Sequence, residues 1–381
     1  MAQGTVGKRA LLGSVALVVA MLAGCSGSSD GGAPASTDRS ETPNGSTTST
    51  LAPDDDLKLN EIQVIGTHNS FHVQAPDDEL AQVAAFDEEQ ANQRRYTHPD
   101  LATQLGEQKI RQIELDVFAD AKGGLYSHPA LAASDADHDP AMDEPGTKVL
   151  HEQDVDYHSV CPTLVACLDE VKTWSDANPQ HVPVAINIQF KDGPLIFPVD
   201  DQAVPEKWTT EAMDGLDDEI RSVFEDDQLI TPDDVLGDHA TLNEAVLAKD
   251  WPTLGESRGK VMFLMINPEP YRSIYLEGHD GLEGRILFTN AEPGQPDASY
   301  IGLDGGVMIS DLVDRGYLVR TRADADNVEV ETGSDDRLRA ALASGAQWIS
   351  TDYPGPDGAR DEGSDYVAEL PGFLAARCNP G

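Results

Sequence analysis

The sequence predicts a single-domain α/β fold, a (β/α)8 barrel of the TIM type with loop insertions, preceded by a lipoprotein signal and a disordered tether. Three observations carry this. Eight short apolar runs recur between residues 62 and 353, recognisable helical stretches separate several of them, and polar or ionisable residues gather where the runs end.

Residues 1–24 form the targeting segment. Lys8 and Arg9 supply its positive end, residues 10–22 its apolar run, and Leu22-Ala-Gly-Cys25 a small-residue processing site. A cysteine at the cleavage point resembles the lipobox of bacterial lipoproteins, which implies lipid on Cys25. Residues 25–54 are Ser, Thr, Gly, Pro and Asp with Leu51 as the one sizeable apolar side chain, too little to offset the entropy of ordering. Residues 55–381 are then the barrel. The expectation is an exported protein, lipid-anchored to the outer face of the cell membrane or secreted, with no later span and with a monomer as the folded unit.

Charge narrows the partners. Lys and Arg number 26 against 68 Asp and Glu, a formal net charge of −42, so nucleic-acid phosphates would be repelled. Four cysteines are present. With Cys25 set aside, Cys161 and Cys167 are close enough to close a short loop at a helix start, or Cys378 pins the C-terminus to one of them. Paired His and Cys spacings of the zinc type are missing.

The first strand, residues 62–65, is rich in β-branched side chains. Gly66 is expected to turn the backbone and deliver Thr67, His68, Asn69 and Ser70 together. Imidazole moves protons near neutral pH, and a carboxamide oxygen beside it can bind a hard cation. A polar, acidic insertion follows at 73–100, then a short helical stretch at 101–105. The second strand, 110–118, puts Ile113, Leu115 and Val117 on one face and Glu114 and Asp116 on the other, where two carboxylates can share one cation. The third, 147–151, ends in His151, which ranks above His128 because a strand aims it. Pro162 opens an amphipathic helix over 161–174.

The fourth strand, 182–190, leads to Gln189, Lys191 and Asp192. The fifth, sixth, seventh and eighth are 259–266, 285–289, 317–324 and 347–353, the last preceded by a helix over 335–344. One mouth would therefore collect His68, Asn69, Glu114, Asp116, His151, Gln189, Lys191, Arg320 and Asp352.

Five segments in this order resemble the calcium-dependent bacterial phosphatidylinositol-specific phospholipase C family. They are Thr67-His-Asn-Ser70, Ile113-Glu-Leu-Asp116, Lys148-Val-Leu-His151 with the following Cys-Pro-Thr-Leu, Val319-Arg-Thr-Arg-Ala-Asp324, and Ala343-Ser-Gly-Ala-Gln347 with Ser350-Thr-Asp-Tyr353. The resemblance spans roughly residues 58–356. It implies a distorted barrel, His68 and His151 as a catalytic pair, and Ca2+ as cofactor with Asn69, Glu114 and Asp116 among its ligands. It also implies a phospholipid or related phosphodiester as substrate. Lys191, Arg320 and Asp352 are candidates to contact it, the alternative for Lys191 being a strand-end salt bridge with Asp192 or another acid. Where the family would place a further metal carboxylate, in a Glu-x-Lys pattern, this sequence has Gln189-Phe-Lys191; the amide still offers an oxygen but no charge. A glycerophosphodiester phosphodiesterase acting on soluble phosphodiesters would share the barrel, yet those enzymes follow the first histidine with Arg-Gly, whereas Asn-Ser follows His68. A non-catalytic surface lipoprotein keeping the barrel for binding is the third reading, and retention of both histidines and both strand-two acids weighs against it.

Overall fold

Strand order, more than strand count, positions the site. The computed structural model describes residues 54–132, 138–325 and 327–380, which fall in one compact unit. The targeting segment, Cys25 and all but the last residue of the tether lie outside the described residues.

The strands are β1 (Ile62–Thr67), β2 (Gln112–Phe118), β3 (Lys148–Val149), β4 (Val184–Lys191), β5 (Leu229–Ile230), β6 (Val261–Met265), β7 (Leu287–Phe288), β8 (Tyr300–Gly302), β9 (Leu318–Arg322), β10 (Trp348–Thr351) and β11 (Arg377–Cys378). Eight of them follow the order β5-β6-β4-β2-β1-β10-β9-β8, every neighbouring pair parallel. β7 adds in parallel to β6, and a parallel bridge from Asn290, just beyond β7, to Tyr300 in β8 brings the two ends together. The sheet thus curls into an α/β barrel with a thin seam between β7 and β8.

The helices α1 (Asp77–Phe86), α2 (Glu88–Gln93), α3 (Leu101–Gly106), α4 (Leu164–Ala177) and α5 (Thr210–Val223) occupy the connections of the first half. Their starts are chemically marked: Asp100, Thr163 and Thr209 each accept a backbone N–H of the first turn, satisfying a donor the helix itself cannot. Ile113, Leu115 and Val117 of β2 are fully buried in one apolar cluster with Leu101 and Leu105 of α3 and Leu164 and Leu168 of α4. Each such side chain contributes about 1.5–3 kcal/mol, which obliges the alternate residues Glu114 and Asp116 to face the other way, into the barrel. Among the described residues no helix is long and apolar enough to cross a membrane.

Four expectations are corrected. The third predicted strand is no stave: β3 is two residues paired antiparallel to β2, because the chain must double back over β2 before α4 begins. β8 and the short β5 were not foreseen, their apolar runs being only three and two residues long. The 73–100 insertion carries α1 and α2. Gly66, moreover, does not turn the chain. It lies inside β1, and a Cβ there would stand 2.0 Å from Gln112 Oε1, so the glycine serves close strand approach; the turn comes at Asn69, with φ of 43°, a conformation Asn tolerates better than most residues.

Cys161 and Cys167 form a disulfide with Cα atoms 5.1 Å apart, fastening the start of α4. Of the two pairings open in the sequence, this is the local one.

Candidate active site

The turn after β1 is tied down on both sides. His68 N–H donates to Thr351 O at 2.9 Å and Ser70 N–H to Glu114 O at 2.9 Å, while Ser70 Oγ accepts the Glu114 N–H at 2.8 Å. Backbone bonds of this kind hold His68 over the strand-two acids without relying on side-chain packing.

His68 Nδ1 lies 2.8 Å from Asp352 Oδ1, its Nε2 is 3.7 Å from Glu114 Oε1, and Arg322 Nη1 reaches that Nε2 at 3.4 Å. Arg322 Nη2 also grips Asp352 Oδ2 at 2.7 Å. Burial acts to raise the Asp352 carboxyl, but His68 and Arg322 override it and hold it well below the carboxylate range. Its neighbour Asp324 accepts from the Thr351 hydroxyl and from Asp352 N–H at 3.0 Å. Burial, with the Asp352 charge, pushes Asp324 up to about 6.

His151 reaches the same cleft from a loop. Its Nδ1 is 2.7 Å from Asp156 Oδ2, and Asp156 Oδ1 takes His72 Nε2 at 3.0 Å, with Arg94 Nε 3.1 Å from Oδ2. Asp156 is fully buried, yet His72 and His151 keep it ionised far below its usual range against that burial. Burial would lower His72, but Asp156 prevails and raises it above its ordinary 6.5. The His72 and His151 rings stand 6.1 Å apart, edge to face. His68, His151, Asp156, Arg322 and Asp352 all line one cleft of about 150 Å³.

On the floor of the mouth Glu114 Oε2 meets Arg320 Nη2 at 2.7 Å and Asp116 Oδ2 meets Lys191 Nζ at 3.0 Å. Burial raises the Asp116 carboxyl, partly opposed by Lys191. Register sets Asn187 beside Glu114 and Gln189 beside Asp116. All nine predicted residues therefore stand around this mouth. His128 does not, being stacked on His138 with ring centroids 5.5 Å apart.

Oxygen atoms without a donor cluster here. Asn69 Oδ1, Asn187 Oδ1 and Asp116 Oδ1 are buried with no hydrogen-bond partner, a costly condition that a cation would relieve. Among the described residues no three His, Cys, Asp or Glu side chains could by themselves hold a metal, so an ion here must combine two carboxylates with amide oxygens. That all-oxygen donor set fits a hard divalent cation such as calcium.

The sequence reading passed over His72, Arg94, Asp156, Asn187 and Arg322. Two of them had signals. Asp156 follows His151 by five residues, and Arg322 lies two beyond Arg320, hence on the same strand face. His72 had only its place four residues after His68, and Arg94 and Asn187 had none, since only the fold brings them here.

Two carboxylate-bound imidazoles above a pair of strand-borne acids at a barrel mouth can move protons on and off an ester whose phosphoryl group carries negative charge, and the protein is an enzyme of the phosphoric diester hydrolase class. The class narrows on comparison with known proteins. The family model described as phosphoinositide phospholipase C, Ca2+-dependent, matches residues 57–380, and the chain belongs to that family.

Solved structures agree in fold. A calcium-dependent phosphoinositol-specific phospholipase C from a Gram-negative Pseudomonas, in apo form and myoinositol complex, is 16% identical with TM-score 0.52, covering 85% of this chain and 96% of its own. The Ca2+-dependent phosphatidylinositol-specific phospholipase C of Streptomyces antibioticus is 18% identical with TM-score 0.53, covering 85% and 100%. None of the curated proteins matches.

Proposed function

We propose that this protein is exported, anchored by lipid on Cys25, and cleaves the glycerol–phosphate bond of phosphatidylinositol-type lipids with His68 as base and His151 as acid. The observation that carries the reading is the pair of His–Asp contacts facing one cleft, 2.8 Å at His68 and 2.7 Å at His151. Asp352 accepts the Nδ1 proton of His68, and the Arg322 N–H points at Nε2, so Nε2 is the acceptor nitrogen. It takes the proton of the inositol 2-hydroxyl as that oxygen attacks phosphorus. His151 then gives its Nε2 proton to the departing diacylglycerol oxygen, with Asp156 holding the ring in the orientation this needs.

Asn69, Glu114, Asp116 and Gln189 are the residues to hold Ca2+, with Asn187 beside them. When bound, the ion supplies positive charge against the phosphoryl oxygens. Lys191 and Arg320 stand next to that group and offer it N–H donors. Arg322, at the His68 end, contributes a third. Lipid attachment and export are supported by the basic, apolar and Leu22-Ala-Gly-Cys25 segments in sequence.

The test is release of diacylglycerol and inositol phosphate from phosphatidylinositol vesicles, with calcium titrated against a chelator. Turnover that needs calcium and vanishes in His68→Ala supports the reading. A folded protein inert at millimolar calcium overturns it and turns attention to soluble phosphodiesters. Cys25→Ser should move the protein from the membrane fraction to the medium.

A further inference from the structure

Each acid at the floor of the mouth holds a cation of the chain's own. Arg320 sits on Glu114 at 2.7 Å and Lys191 on Asp116 at 3.0 Å. The four formal charges cancel, and the residues beside the acids on β4, Asn187 and Gln189, are neutral. A divalent cation entering this set meets carboxylates that are already compensated, and at contact distances an ammonium and a metal ion on one carboxylate repel each other.

The two cations are held differently. The Arg320 side chain is 7% exposed and is fixed further by Ser350 Oγ at 3.2 Å and Asp304 Oδ1 at 3.3 Å. The Lys191 side chain is 26% exposed, with an ammonium on a flexible four-carbon stem. It reaches Asp116 through Oδ2 alone, at 3.0 Å, and Asp116 Oδ1 has no hydrogen-bond partner. Of the two, Lys191 is the one that can leave.

We propose that Lys191 is a built-in competitor for the metal: it occupies Asp116 until a divalent cation takes that carboxylate, and then turns its ammonium into the mouth toward the phosphoryl group. The inference rests on the reading of Glu114 and Asp116 as metal ligands. It gives Gln189 a consequence, since the neutral amide leaves the ion no surplus negative charge with which to displace the lysine. Calcium affinity is thereby kept weak, and metal and phosphate bind with positive coupling, each strengthening the other by the same factor.

Calorimetric titration of Ca2+ into the purified protein tests this without reference to turnover, with inorganic phosphate as the anion probe. Lys191→Met should bind Ca2+ about tenfold more tightly than the wild type, and phosphate should sharpen its calcium binding less than it does in the wild type. Lys191→Gln serves as a second variant where Met compromises folding, judged by thermal melting. Unchanged or weaker calcium binding in folded variants, with the wild type binding normally, overturns the competitor role and leaves the ligand reading standing. Failure of wild type and variants alike to bind calcium removes the ligand reading and the inference with it.

Discussion

His68 and His151 each direct Nδ1 at a carboxylate, 2.8 Å from Asp352 and 2.7 Å from Asp156, but their supports are assembled from different parts of the chain. His68 stands at the end of a parallel stave. Its carboxylate comes from the far end of the sequence, past β10, and is braced by Arg322 of β9. His151 stands in a loop beyond the antiparallel β3, and its carboxylate follows it by five residues across a bridge between Glu152 and Asp156. Asp352 holds one imidazole and one guanidinium, whereas Asp156 serves His151, His72 and Arg94 together. The barrel fixes the first pair by hydrogen-bonded strand register. The second depends on a buried charge cluster, and so its failure modes are electrostatic and local.

The largest expected effect separates the two histidines by chemistry. His68→Ala and His151→Ala should each lower kcat/KM on phosphatidylinositol by about 10³-fold. With an inositol phosphodiester whose leaving group is an acidic phenol, His151→Ala should recover most of its activity and His68→Ala none, because only the acid becomes dispensable. Equal behaviour of the two variants on both substrates would break the assignment of base and acid.

Next comes stability. Asp156→Asn strands fully buried His72 without its counter-ion and leaves Arg94 with Glu152 Oε2 at 2.6 Å as its remaining carboxylate, and should cost about 3–5 kcal/mol in urea unfolding. Asp352→Asn should cost about half of that, since Asp324 lies 3.7 Å from Arg322 and can take it over. A larger loss at Asp352 would reverse the contrast drawn here.

The disulfide bears on one pair alone. Cys161 and Cys167 clamp the chain just after Asp156, so replacing both by Ala should lower unfolding stability by about 2 kcal/mol. Labile packing should then show first as faster hydrogen exchange around residues 151–160, with the β1 turn unaffected.

The smallest effect is a pH slope. His72 is raised above its ordinary 6.5 in the fold; the stability it contributes is fully present below that value and is lost as pH rises through the raised value. Asp156 is depressed from its ordinary 3.8; its contribution is present above that value and is lost as pH falls toward the depressed one. The loop-borne pair is thus most stable between the two. Unfolding free energy should decline above about pH 6.5 by at most about 1.4 kcal/mol per pH unit, and the decline should be absent in His72→Asn.

The sequence by itself determined the local chemistry. Alternation along residues 112–118 sent Glu114 and Asp116 to one face whatever the strand's neighbours, since the side-chain period of a strand is two. Pro162 marked the start of the helix that became α4. His68 with Asn69, and Lys191 at the end of β4, were legible because each stands where an apolar run stops. Tertiary structure decided what these residues touch. Asp352 meets His68 across 284 positions and Arg320 meets Glu114 across 206; both contacts follow from parallel register around the barrel, which no local pattern encodes. It also decided that β3 is an antiparallel ribbon, that three-residue β8 is a stave, and that Gly66 serves the approach of Gln112. Short strands carry too few side chains to announce themselves. Their pairing is settled by the backbone hydrogen bonds that the closing barrel must satisfy.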